Sequence, residues 1–476
     1  MSLLSAYPCH RAGQMVLLCS VLGGLLAACG TQPVAATPPF MNMPARWQDM
    51  GLARASPLAD WWRRFDDAKL SALVQDALDA NPSIQSARAA LRQARALRDV
   101  ADGGLYPGLN SSLGASRNTV DSRATEGANV GLDASWEVDV FGSLHDATRA
   151  ADAGLNASAA SLGDMQVSVA AEVALAYLAL RSAQQRLQIA SSNLANQQDT
   201  LQIADWRLQA GLVTTLETEQ AQAALEQTRA TLPTLQITID QNAHALATLS
   251  GRTPEALLSD LAPVLAVPQP ADDIALSFPA ETLRQRADVR AAEVQITAAA
   301  ARLSQSEAAR LPRFTLGGSI GLNALSLAGL MGVGTGATAV SGLLANVSLP
   351  LFKGGALEAQ VRAQQAALEQ AQSDYKIRVL GALRDVEDAL VALRGDRLRL
   401  ASLRLAATSA ANAAQLASQR FQSGLIDFQT LLDSQRTQLS TQDSVASASA
   451  AVSADHVRLY KALGGGWNSD LRKSEL

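Results

Sequence analysis

The groups best suited to nucleophilic or metal chemistry in this 476-residue chain are three cysteines and four histidines, and their spacing supports neither. His10, His145, His244 and His456 are scattered without any metal-ligand interval. Cys9, Cys19 and Cys29 all lie near the N-terminus, so the rest of the chain can build no disulfide framework, zinc knuckle or thiol nucleophile. The carboxylates Asp133, Glu137 and Asp139 do form a pattern. From Asn129 to Phe141, Val130, Leu132, Ala134, Trp136, Val138 and Val140 alternate with Gly131, Asp133, Ser135, Glu137 and Asp139. A strand with one apolar and one acidic face cannot sit inside a packed sandwich. It fits a barrel with lipid outside and water inside, where a strand needs about 9–11 residues to cross. Three such carboxylates would make the lumen acidic and bias it towards cations, although charge is also simply what water-facing positions carry.

The elements around that strand occur twice. Pro107, after a helical run and before one strand pair, is matched by Pro312, 205 residues later (312 − 107), before another. Such self-similarity decides the architecture. Leu109 to Asn118 alternates as the partner of the acidic strand; Phe314 to Asn323 and Leu343 to Leu351 form the second pair. The polar stretch Thr119 to Ala128 and the glycine-rich stretch Ala328 to Ser341 are the expected outward loops. Gly332, Gly334 and Gly336 lack the strand–loop–helix context and the lysine of a phosphate loop. Tyr106, Phe141, Phe314 and Phe352 mark the helix side of every strand, as half of an interfacial girdle or as a plug at the strand–helix junction. About eight strands make the smallest closed barrel, so four per chain require oligomerisation. Three copies give twelve strands; on spacing alone, a dimer of eight stays open.

No proline interrupts Leu144 to Gln209, which can run as one helix of roughly 100 Å at about 1.5 Å per residue. Val173, Leu180, Leu187, Leu194, Leu201 and Leu208 recur every seven residues; so do Val379, Val386, Leu393, Leu400, Ala407, Ala414 and Phe421. That period winds helices left-handedly about neighbours. Each long helix meets a related turn, Gly211–Leu212 and Gly424–Leu425, where glycine suits a left-handed cap. These turns are the expected distal tips.

At the N-terminus, His10 and Arg11 precede the apolar run Met15 to Leu26, which reads as an export signal. It ends Leu26–Ala27–Ala28–Cys29–Gly30, which resembles a lipobox; the covalent lipid on Cys29 would be the only prosthetic group, with no other cofactor expected. Without residues 1–28 and their one Arg, the formal charge of −5 becomes −6. No basic run suggests nucleic acid. After the signal, no apolar stretch is expected to reach the roughly 20 residues of a membrane helix.

In order and spacing, Trp61–Trp62, Phe65–Asp66–Asp67, Ala80–Asn81–Pro82, Trp136 to Gly142, Ala171 to Tyr177 and Gly424 to Arg436 resemble the TolC-like outer-membrane factor family, in its NodT-type lipoprotein branch. The resemblance covers essentially the whole chain after the signal. It implies a mixed α+β membrane protein: a homotrimer whose 12-stranded transmembrane β-barrel, four strands per protomer, continues into a long periplasmic α-helical coiled-coil barrel. It further implies outer-membrane localisation, a periplasmic adaptor (membrane fusion) protein and an inner-membrane resistance–nodulation–division (RND) transporter as partners, and no catalysis. By position, the channel gate falls on Asp433, with Gln429 one turn nearer the tip, and the adaptor contacts fall on Gly211, Leu212, Gly424 and Leu425. The plainer alternative for Asp433 is a solvated helix-face carboxylate.

The expected organisation is a signal over 1–28, an extended anchored segment over 29–56, and a helical part over 57–104. A hairpin over 105–142 follows, then a helical hairpin over 143–250 with its tip near 210–216. After a linker over 251–284 the second copy comprises 285–311, the hairpin 312–352 and the helical hairpin 353–463 with its tip near 422–428. A tail, 464–476, closes the chain. The expected function is passive conduction of small toxic compounds or drugs from adaptor and pump to the exterior. The rivals are an exit channel for ATP-driven type I protein secretion and a lipid-anchored coiled-coil spacer without a pore.

Overall fold

The computed structural model describes residues 37–39, 58–121, 123–270, 283, 286–332 and 336–467. The expected signal and Cys29 lie outside them. A 3-10 turn at Trp61–Phe65 leads into α1 (Ala68–Ala80) and α2 (Pro82–Gly103). Next come β1 (Gly108–Val120), β2 (Arg123–Val138), α3 (Ser143–Gln209), α4 (Thr215–Leu249) and the single turn α5 (Leu258–Leu261). The second half holds α6 (Ala287–Ala308), β3 (Arg313–Ala324), the single turn α7 (Leu327–Leu330), β4 (Thr338–Ser348), α8 (Ala356–Gln422) and α9 (Phe428–Ala462). The duplication is close: α2 and α6 have 22 residues each, α3 and α8 have 67, α4 and α9 have 35.

The chain divides into two compact units. The first contains Arg92–Ala157 and Ala292–Tyr375. Its four strands form one antiparallel sheet in the order β1-β2-β3-β4. Register places Leu109, Leu113, Val130, Leu132, Trp136, Leu316, Ile320, Leu322, Leu343 and Val347 on one face. All of them are exposed, from 37% at Trp136 to 95% at Leu343. A contiguous apolar face of this extent marks a surface made to meet something other than water.

Three strand boundaries differ from the sequence reading. Of the stretch Thr119 to Ala128, Thr119, Val120 and Arg123 to Ala128 are paired strand, not loop, with Val120 opposite Arg123. Polar composition suggested a loop, but where both faces of a hairpin meet water, backbone pairing persists without apolar alternation. β4 covers Thr338–Ser348, earlier than expected. β2 stops at Val138, which leaves Asp139 beyond the strand.

The second unit contains Ser158–Ala291 and most of α8 and α9. At its centre the Trp61 ring stacks on Tyr460 at 5.3 Å, with Trp62, Phe65, Leu70, Val74, Tyr177, Leu246, Leu257 and Leu261 packed around it. Several motif residues act here as caps. Asp67 accepts from Leu70 N at 2.8 Å, starting α1, and from the Tyr177 hydroxyl at 2.9 Å. Asn81 donates to Leu249 O at 2.8 Å and accepts from Ser83 N. Arg181, fully buried, donates to Gln184 Oε1 and to Pro263 O, both at 2.7 Å, pinning the linker to α3. Arg286 binds both Asp288 oxygens (3.0 and 2.8 Å), Asp385 and the Ala462 carbonyl. Burial opposes ionisation of Asp288, but the hydrogen bonds and charge of Arg286 outweigh it and hold the carboxyl below its usual range.

One more expectation needs correction. One helix, Ser143–Gln209, is long and apolar enough to cross a membrane by length and composition. Half of its most apolar stretch is buried inside the protein, and Val169, Val173, Tyr177 and Leu180 of the same helix supply core, so packing accounts for its apolarity. The start of the expected tail is likewise packed. Gly466 N donates to Leu58 O at 3.0 Å, and a Cβ on Gly465 would lie 3.0 Å from that same carbonyl. Glycine is what lets the chain approach this closely.

Candidate functional site

Two places hold the residues singled out from sequence: the polar face of the sheet and the ends of the long helices. On the sheet, Asp133 and Glu137 share the face opposite the leucines, with Asn110, Ser319 and Thr315 beside them in register. Ser112 donates to Asp133 at 3.3 Å. Asp139 does not join them. Past the end of β2, its carboxylate accepts from the backbone N of His145 at 2.9 Å and meets the His145 ring at 2.6 Å, so it tethers the first turn of α3. Trp136 Nε1 donates to Leu105 O at 2.9 Å, fixing the opposite side of the same junction. The four junction aromatics divide: Phe141 and Phe314 pack together at 6.3 Å, whereas Tyr106 and Phe352 are 66% and 88% exposed. The first pair plugs; the second suits an interface.

The two helix ends are built alike. Gly211 and Gly424 hold φ of 72° and 73°, a region costly for any residue with a Cβ. Leu212 N reaches back to Arg207 O, and Leu425 N to Arg420 O, both at 2.8 Å; Gly211 and Gly424 bond to Leu208 and Phe421 at 2.9 Å. These are Schellman closures. The return helices start on side-chain caps: Thr214 with Glu217 in a capping box on α4, and Asp427 accepting from Thr430 N at 2.7 Å on α9. Hydrogen bonds from Thr214 and Thr430 hold the Glu217 and Asp427 carboxyls below their usual ranges. Leu212 and Leu425 stay 75% and 74% exposed, with Trp206 and Leu216 also open.

Arg207 joins the two ends. Its guanidinium lies 4.2 Å from the Phe421 ring centroid and donates to Phe421 O and Gln422 O. Beneath it Phe421, Phe428, Leu431, Leu432 and four alanines form a small core. Asp433 lies on an exposed side of α9. Gln429 Nε2 donates to it at 3.0 Å, and Arg436 stands 3.7 Å away. The structure therefore brings Gln429, Asp433 and Arg436 together on one exposed side of α9.

Sequence reasoning missed a polar seam between α3 and α9. Arg186 makes a two-pronged bond to Asp443 (2.6 and 3.0 Å), Asn193 donates to Gln442 at 3.1 Å, and Gln435 donates to Thr200 at 2.9 Å. No local signal pairs Arg186 with a carboxylate 257 positions away. The seam fixes α9 to α3 over about four turns of α3 without filling the gap with apolar bulk, and a polar seam can part and re-form in water.

A family model described as outer membrane efflux protein matches residues 73–252 and 278–465. The chain is 32% identical over 461 residues to pyoverdine export outer membrane protein OpmQ of Pseudomonas aeruginosa, covering 94% of this chain and 96% of that one. It is 30% identical over 460 residues to nodulation protein T of Rhizobium leguminosarum bv. viciae, with coverage of 95% and 93%. Among solved structures, the outer-membrane channel OprN superposes with a TM-score of 0.82 at 33% identity, over 91% of this chain and 100% of that one.

Arg186→Ala should loosen the seam. Losing a half-exposed bidentate pair costs about 1 kcal/mol, a factor of about five in local opening. Amide hydrogen exchange across α9 from Phe428 to Asp443 should accelerate accordingly, with α6 unchanged. Equal protection in both proteins would show that the pair carries no load.

Proposed function

This chain belongs to the outer membrane efflux protein family and is the outer-membrane channel component of a bacterial efflux system, and from that premise we propose that it works as a homotrimeric duct for small toxic compounds or drugs, closed at the tips when idle. It is not an enzyme. The membrane-spanning part is the sheet, and the helices form the large periplasmic part. The observation that carries the proposal is the open sheet: among the described residues it has four strands, an exposed apolar face, and outer edges on β1 and β4 with no neighbouring strand. Three copies would close twelve strands, with Asp133 and Glu137 turned to the water inside and the leucine face turned to lipid.

A periplasmic adaptor would dock on Leu212, Leu425 and the capped turns that present them, and an RND-type transporter in the inner membrane would supply the energy. Exposed leucines on a turn fixed by glycine and side-chain caps make a rigid apolar contact, the arrangement that loses least entropy on binding. At rest, Asp433 from three protomers would ring the axis, with Gln429 nearer the tip. Arg436 and Gln429 would offset the mutual repulsion, and parting of the Arg186–Asp443 seam would let α9 swing away. Cys29 would carry the lipid, and acyl chains contribute about 0.8 kcal/mol per buried methylene.

Crosslinking in intact cells from Ser423→Cys, followed by identification of captured proteins, tests the assembly. An adaptor together with a proton-driven pump is the expected catch; an ATP-driven exporter would overturn the efflux reading and leave the channel standing. Separately, Cys29→Ser should abolish metabolic labelling with radioactive palmitate. Undiminished labelling would place the lipid elsewhere.

A further inference from the structure

The duplicated halves keep the same helix lengths, yet the two hairpins end differently. β1 and β2 are separated only by residues 121–122, whereas residues 325–337 and the turn α7 separate β3 from β4. The shorter connection is charged, with Arg117, Asp121, Arg123 and Glu126 in and around it; residues 325–337 contain no charged residue at all. Leu325, Leu327 and Met331 there are 75%, 55% and 80% exposed. A loop destined for water has no reason to show three large apolar side chains and no charge.

Where α7 sits decides what it meets. It packs against β2 and β3, near the end of the sheet opposite the helices. Ala128, on the apolar face and opposite both Ala115 and Ala324, is buried to 4%, although Ala115 on the same face is exposed. On the polar face at the same level, Asn129 and Asn323 are exposed. So α7 covers the apolar side and leaves the polar side open. The Ser326 hydroxyl, accepting from Gly329 N at 3.2 Å, caps this turn and keeps its backbone satisfied.

We propose that α7 and its flanks form a wedge in the outer leaflet, an added surface for lipid acyl chains that extends the apolar face of the sheet at its outer rim. Leu325, Leu327 and Met331 would lie among the chains. Continuity with the membrane-spanning face favours lipid over the channel mouth, because a lid over the mouth would cover Asn129 and Asn323. The missing charge favours acyl chains over headgroups or an aqueous partner. The first hairpin, with its charges, would stand free in water.

The test uses the full-length channel reconstituted in phospholipid vesicles, with an environment-sensitive fluorophore on Met331→Cys or Leu327→Cys and, for comparison, on Asp121→Cys. A circular-dichroism spectrum and a melting temperature equal to those of the unlabelled protein confirm that each labelled protein is folded. The Met331 and Leu327 probes should emit to the blue of the Asp121 probe. Nitroxide on the upper acyl chain should quench them several-fold more than aqueous iodide does, with the order reversed at Asp121. Iodide quenching at Met331 equal to that at Asp121 would overturn the wedge. So would a fall in conductance on labelling Met331, which would place the loop over the mouth.

Discussion

A peptide N–H or C=O without a partner in hydrocarbon costs several kcal/mol, and among the described residues β1 and β4 each present an unpaired edge of such groups. One chain cannot satisfy them by curling, because four strands are half the number that the smallest barrel needs. The strands are long enough to cross a membrane, from 11 residues in β4 to 16 in β2. Pairing the edges between copies therefore decides whether the sheet can exist in lipid at all. The leucine face, costly in water, becomes favourable on the same condition.

The helices meet a different demand. Each 67-residue helix buries a seven-residue stripe, as Val379, Val386, Leu393 and Leu400 do on α8. Much of the remaining surface is alanine, glutamine and charge. Close helix contact is thus achieved with small side chains, and register is fixed by a few polar bonds. Near the tips this balance shifts furthest: one aromatic pair, two buried leucines and four alanines make up the core, while Arg207 and the caps do the rest. A region so lightly packed opens at lower cost than the core around Trp61 and Tyr460.

How much of this is legible in the sequence depends on whether a feature repeats. Alternation from Asn129 to Val138 is visible because the two faces meet different solvents. The heptads are visible because a helix seam imposes a period. Gly211 and Gly424 are visible because only a positive φ calls for glycine at that place. Asp139 continues the alternation formally, but His145 claims its carboxylate, and contacts of that kind leave no period. The Arg186–Asp443 seam, the packing of Gly465 against Leu58 and the side on which α7 lies all join residues distant in sequence. They become readable only once the fold has brought their partners together.

Closure of the sheet between copies is tested most directly by oxidative crosslinking of paired cysteines on the polar face of its two edges. Ser112→Cys on β1 would be combined in turn with Gly342→Cys, Leu344→Cys and Asn346→Cys on β4, in membranes. One register should convert the protein into covalently closed trimers that resist denaturation by detergent, while the neighbouring registers give little. Closed dimers would mean eight strands, and the absence of any crosslink between chains across all three combinations would contradict edge pairing altogether.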